Sequence, residues 1–135
     1  MRTTFPSGGE YEDYYGYSRA VRVGNQITVS GTTARSPHSE STDAHAQAVS
    51  ALDVIRAALE EAGASMANVT RTVTYITSID YVDAVARAHK EAFDDIRPAA
   101  TCVVVTSLVA PNLLVEIQAD AVIEGWFQGG MAVIA

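Results

Sequence analysis

The chain has 135 residues, 48% hydrophobic and 19% charged, a balance that fits one globular domain with its own core and excludes the disordered class. Its net charge of −7 and its nine scattered Lys and Arg make nucleic acid an unlikely partner, since an acidic surface repels phosphate backbones. One cysteine, Cys102, rules out an internal disulfide framework and suits a cytoplasmic protein, and no apolar run reaches the ~18 residues of a membrane helix.

The first 16 residues read as an N-terminal loop or edge segment, with a Ser/Gly/acidic/Tyr loop over 7–16 and no secretory-signal pattern. Residues 17–23 and 26–30 are strand-like on either side of Gly24-Asn25, which can supply the positive φ angles of a hairpin turn. The polar segment 32–41, with Pro37, is a connecting loop. Ser41 or Thr42 is expected to cap a helix whose first turn holds Asp43. Ala48, Leu52, Ile55 and Leu59 form its one-sided apolar stripe, and it stops near Ala62 with Gly63 in the left-handed position.

Residues 68–77 are rich in β-branched side chains and predict a strand. Asp80 is the expected cap of a second helix, with Val82, Val85, Ala88, His89 and Phe93 on or near one face, ended by Arg97-Pro98. Strands are expected over 101–108 and 113–123, followed by a tail over 125–135 that holds Trp126, Phe127 and Gly129-Gly130. The pattern β-β-α-β-α-β-β predicts a single α+β domain over 1–135, with two helices on one face of a mixed sheet. The other face, partly apolar, then needs a partner, and oligomerisation is the simplest way to bury it.

Several stretches in this order carry a resemblance. They are Tyr17-Ser18-Arg19-Ala20-Val21, Val23-Gly24-Asn25, Val29-Ser30-Gly31-Thr32, Leu59-Glu60-Glu61-Ala62-Gly63-Ala64-Ser65, Asn68-Val69, Arg97-Pro98-Ala99 with Thr101-Cys102-Val103, and Leu114-Val115-Glu116-Ile117 with Ala119. Together, over about 17–122, the chain resembles the Rid (YjgF/UK114) family. The resemblance implies a chorismate-mutase-like fold, a homotrimer with a barrel-like core of sheets, and clefts between subunits. The activity it implies is hydrolysis of reactive enamines and imines to 2-oxo acids and ammonia, with no metal or organic cofactor.

Imine hydrolysis needs a hold on the substrate, a polarised water and a proton route to nitrogen. Glu116 matches the glutamate thought to orient or activate that water, and partial burial would raise its pKa. Strand alternation alone puts it on the solvent side, opposite Val115 and Ile117. Tyr17 matches a cleft tyrosine and could equally be a packing residue. Ser30 and Gly31 match a Ser-Gly pair where backbone approaches ligand, or simply terminate a strand. Thr101 and Cys102 are the remaining substrate-binding positions implied, Cys102 through its carbonyl. As a lone cysteine in an apolar strand, Cys102 otherwise reads as a buried small hydrophobe.

Ala100 departs from the pattern, standing where the family's deaminases carry the arginine that clamps a substrate carboxylate. Arg19 shares a strand face with Tyr17 by period-two alternation and could serve an anionic small-molecule ligand instead, or could pair with Glu10, Glu12 or Asp13. His38, His45 and His89 lack metal-site spacing, and His89 reads as a packing or interface histidine. Three functions follow: a Rid-type hydrolase, a non-catalytic binding or interaction protein on the same fold, and a ribonuclease, which the acidic balance disfavours.

Overall fold

The computed structural model describes residues 1–125, so the tail expected around Trp126, Phe127 and Gly129-Gly130 lies outside the described residues. Six strands form one sheet: β1 (Arg2–Phe5), β2 (Ala20–Val23), β3 (Gln26–Thr32), β4 (Val69–Ile76), β5 (Ala99–Val104) and β6 (Val115–Val122). Three helices accompany them: α1 (Glu10–Tyr15), α2 (Ala44–Glu61) and α3 (Val82–Phe93). The strand order is β1-β2-β3-β6-β4-β5, antiparallel except for the parallel pair β4–β5. This is the expected α+β architecture with a mixed sheet.

The β2–β3 hairpin turns at Gly24-Asn25 as expected, pairing Val23 with Gln26, and Gly24 takes a φ of 61°. The N-terminal segment is more ordered than its composition suggests. Residues 2–5 are an edge strand, and 10–15 are a helical turn and a half where a loop was expected. Glu12 holds this turn by folding back onto the backbone N–H groups of Ser7 and Gly9, each at 3.1 Å, and onto the Ser7 hydroxyl. The first strand of the hairpin begins at Ala20, later than the residue 17 expected from its texture.

Helix α2 is capped by Asp43, whose carboxylate accepts from the His45 N–H at 2.9 Å, so the cap is Asp43 and not Ser41 or Thr42. At its other end Gly63 sits at φ 92°, and Arg22 donates to the Ala62 carbonyl at 2.8 Å, placing a cation at the helix's negative end. A Cβ at Gly63 would meet that guanidinium at 2.6 Å. Asp80 does not cap α3: it lies in a short 3-10 turn, Ile79–Tyr81, whose cap is Ser78, accepting from the Asp80 N–H at 3.1 Å, and α3 follows from Tyr81 without a side-chain cap.

Both long helices lie on one sheet face. Alternation in β6 makes this plain: Val115, Ile117, Ala119 and Ala121 are buried, while Glu116, Gln118, Asp120 and Val122 are only half-buried on the other face. Ile27, Ile55, Leu59, Ile76 and Ile117 meet in the core, each contributing about 1.5–3 kcal/mol by burial.

One fully buried polar side chain ties this core to the loops. Gln47 donates to the carbonyls of Ser41 and Asn112, both at 2.8 Å, and accepts from the Leu114 N–H at 2.9 Å. Replacing it removes the partner of three part-buried backbone groups, each bond worth about 0.5–1.5 kcal/mol. Gln47→Leu should therefore lower unfolding free energy by about 2 kcal/mol in urea denaturation, despite the gain in apolar surface.

Candidate functional site

The register between β3 and β6 is broken between Val29 and Thr32. Val29 pairs with Ala119 and Thr32 with Ile117, so three steps along β3 match two along β6. The extra residue makes a bulge at Ser30-Gly31, and the strand runs on to Thr32 instead of ending there. Bulges re-aim local backbone, and here the carbonyls of Ser30 and Gly31 turn to a side chain.

That side chain is Arg19, only 6% exposed. Its Nη1 donates to the Gly31 carbonyl at 2.8 Å, to Thr32 Oγ1 at 2.6 Å and to the Ser30 carbonyl at 3.3 Å. Thr32 in turn donates to the Ser30 carbonyl, and Ser30 Oγ donates to the Ser18 carbonyl, both at 2.7 Å. Nη2 reaches the Tyr17 hydroxyl at 3.5 Å, and the guanidinium carbon lies 5.6 Å from the Tyr17 ring centroid. Nε is buried and has no acceptor among the described residues. None of the described ion pairs includes Arg19, so the alternative of a salt bridge to Glu10, Glu12 or Asp13 is not what forms.

Glu116 packs directly over Gly31. A Cβ on Gly31 would fall on the Glu116 carboxylate, with its Cδ only 3.0 Å away, so glycine here is a matter of space. Burial pushes the Glu116 carboxyl above the ordinary carboxylate value, and the charge of Arg19 pulls partly against that rise. Glu116 faces away from the helices, as strand alternation predicts, and is half-buried there. Tyr17, Arg19, Ser30, Gly31 and Glu116 thus come together.

Thr101 and Cys102 do not join them. Glu116 pairs with Tyr75, which pairs with Val103, whereas Ile117 pairs with Thr74, which pairs with Cys102. Cys102 therefore faces the helices, and β5 stands two strands away from β6, about 10 Å. With Thr101 and Ala100, Cys102 lines a cavity of about 380 Å³ between β5 and α3, walled by Val82, Val85, His89 and Phe93. Cys102 is exposed there, not the buried small hydrophobe its apolar strand suggests, and partial burial pushes its thiol pKa up, away from nucleophilic use.

His89 behaves as a packing histidine. Its Nε2 lies 2.8 Å from Thr72 Oγ1, its ring 4.7 Å from that of Phe93, and burial holds its pKa below the ordinary value. Among the described residues no three His, Cys, Asp or Glu side chains converge as metal ligands, and no helix is long and apolar enough to cross a membrane.

Comparison with known proteins agrees with this architecture. The family model for endoribonuclease L-PSP matches residues 11–123. The chain belongs to this family, the Rid/YjgF group. A Mycobacterium tuberculosis protein, described as a member of the highly conserved YjgF/YER057c/UK114 family, is 46% identical, with a TM-score of 0.85 over 91% of this chain and 100% of that one. An uncharacterized protein from Streptomyces coelicolor is 36% identical over 85% of this chain and 87% of its own length. A RutC family protein from Pyrococcus abyssi is 32% identical over 78% and 84%.

Sequence reasoning gave Thr32 no part beside Arg19, because that contact depends on the bulge, which no periodicity announces. The raised pKa of Glu116 has a consequence for stability. A native carboxyl that holds its proton more tightly than the unfolded chain loses stability as pH rises from the ordinary carboxylate value through its own pKa. Above that window the penalty stays in full. Glu116→Gln should flatten this decline and be more stable than wild type at neutral pH, as read from urea midpoints across the pH range.

Proposed function

We propose that this Rid-family chain is a hydrolase, or deaminase, that acts on an imine, enamine or related C–N bond of a small anionic metabolite. The observation that carries this reading is Glu116: a half-buried carboxyl with a raised pKa, seated on Gly31 beside the buried charge of Arg19. Such a group keeps its proton to higher pH than an ordinary carboxyl and can give it up to a basic nitrogen.

The chemistry balances as addition of water followed by loss of ammonia. Neutral Glu116 protonates the imine nitrogen, and the carboxylate it leaves takes a proton from water as the water oxygen bonds to carbon. Glu116 next protonates the amine, and the C–N bond breaks. The hydroxyl proton returns to the carboxylate as the C=O bond forms, leaving a carbonyl compound and ammonia.

The proposed working unit is a homotrimer with its clefts between subunits. Two features support it. All six residues of β5 are exposed, including Val103 at 42% and Val104 at 50%, and among the described residues nothing covers this edge strand. Thr101 and Cys102 also lie too far from Glu116 to share its site within one chain, so a neighbouring copy would have to bring them there. Ala100 beside them offers no charge for a carboxylate, which gives Arg19 the part of fixed cation and sets the chain apart from arginine-bearing deaminases. It also supports a second reading, a non-catalytic binding protein on the same fold.

Ammonia release from freshly generated imines separates the two. Glu116→Gln should lower the enzyme-dependent rate by about 10²–10⁴-fold, the usual worth of a positioned acid–base group. If wild type gives no rate above buffer, or the variant matches it, the hydrolase reading fails and the binding protein replaces it.

A further inference from the structure

Helix α1 has no apolar face to hold it. Tyr11, Tyr14 and Tyr15 are 52%, 86% and 81% exposed, and Glu12 alone among its six residues is buried. So short a helix does not sustain itself, because nucleation costs more than its few hydrogen bonds return. The Glu12 carboxylate supplies the missing hold. Three donors converge on it: the Ser7 N–H and the Gly9 N–H, each at 3.1 Å, and the Ser7 hydroxyl. Ser7 stands two residues beyond β1, which pairs with β2 along its whole length, so the carboxylate ties α1 to the sheet.

The backbone of the same residue holds the rim of the cleft. The Glu12 carbonyl accepts from the Gly16 N–H at 2.8 Å and from the Tyr17 N–H at 3.0 Å. Gly16, at φ 87°, takes the left-handed conformation that brings both N–H groups onto one oxygen. Tyr17 is thereby delivered to Arg19, its hydroxyl 3.5 Å from Nη2, with the Tyr15 ring edge-on to its own at 6.1 Å. Arg19 in turn reaches the Gly31 carbonyl, and Glu116 lies over Gly31.

We propose that Glu12 is a positioning residue of the Glu116 cleft: its carboxylate fixes α1 so that its carbonyl can hold Tyr17 against Arg19. This rests on the reading of that cleft as the ligand site, with Tyr17 on its wall. The role needs the carboxylate itself. All three of its partners are donors, and the amide nitrogen of a glutamine would set a further donor against them. The Ser7 hydroxyl above all, helped by the Ser7 and Gly9 N–H groups and opposed by burial, holds the Glu12 carboxyl below the ordinary carboxylate value, so the anion is the form present at neutral pH.

The test follows the Tyr17 ring by NMR in protein carrying ¹³C-labelled tyrosine, with Tyr17→Phe to assign its signal. In Glu12→Gln that signal should move toward the position of the exposed Tyr14, while the amide signals of β4 and β6 stay in place and show the fold intact. Ser7→Ala, which removes one donor, should move it the same way by less. Glu10→Gln makes the same charge change at the exposed first residue of α1 and should leave it unmoved. In ammonia release from freshly generated imines, Glu12→Gln should raise KM about tenfold, the worth of about one hydrogen bond, with kcat within about threefold. A Tyr17 signal that does not move in Glu12→Gln overturns the proposal, and so does a moved signal with KM unchanged. Wild type without ammonia release ends the hydrolase reading instead, and the ring signals then decide the positioning role alone.

Discussion

A guanidinium buried among neutral acceptors is the constraint on which the rest of the site depends. Taking a cation out of water costs several kcal/mol even after relaxation, and hydrogen bonds must offset it. Arg19 meets that demand with two backbone carbonyls and a threonine hydroxyl, which it can reach only because β3 carries one residue more than its partner strand. The bulge, the burial of Arg19 and the fixed position of Thr32 are therefore one device. Removing any of them leaves the others unsatisfied.

The same device arranges the chemistry. The bulge puts a glycine under Glu116, and the space that a side chain would have filled holds the carboxylate. Glu116 is then drawn two ways, toward the neutral acid by burial and toward the anion by Arg19. A carboxyl balanced in this manner suits proton exchange better than one fully exposed or fully paired. In the proposed trimer, β5 of a neighbouring copy closes over this arrangement. That would use the strand whose edge and apolar residues the described residues leave uncovered.

The elements with strong periodicity were legible from sequence. The stripe from Ala48 to Leu59, the β-branched run of β4 and the Gly24-Asn25 hairpin each follow from local spacing, and each appears in the structure. What was not legible depended on long-range or one-off contacts. The turn at 10–15 forms because Glu12 folds back on Ser7 and Gly9, which composition does not encode. The bulge needs the pairing of β3 with β6, some 90 residues apart in sequence, and with it the contact of Thr32 with Arg19 was hidden. Glu116 and Tyr17 became candidates through the family likeness, since alternation placed Glu116 on a face without saying how far that face is buried.

The coupling between Arg19 and Glu116 is the centre of this account, and carboxylate titration of Glu116 by carbon-detected NMR tests it most directly. In a folded Arg19→Gln protein the opposing charge is gone while the burial of Glu116 remains. Its pKa should then rise further above the ordinary carboxylate value than it does in wild type. A pKa that stays where it was, or falls, would contradict the account.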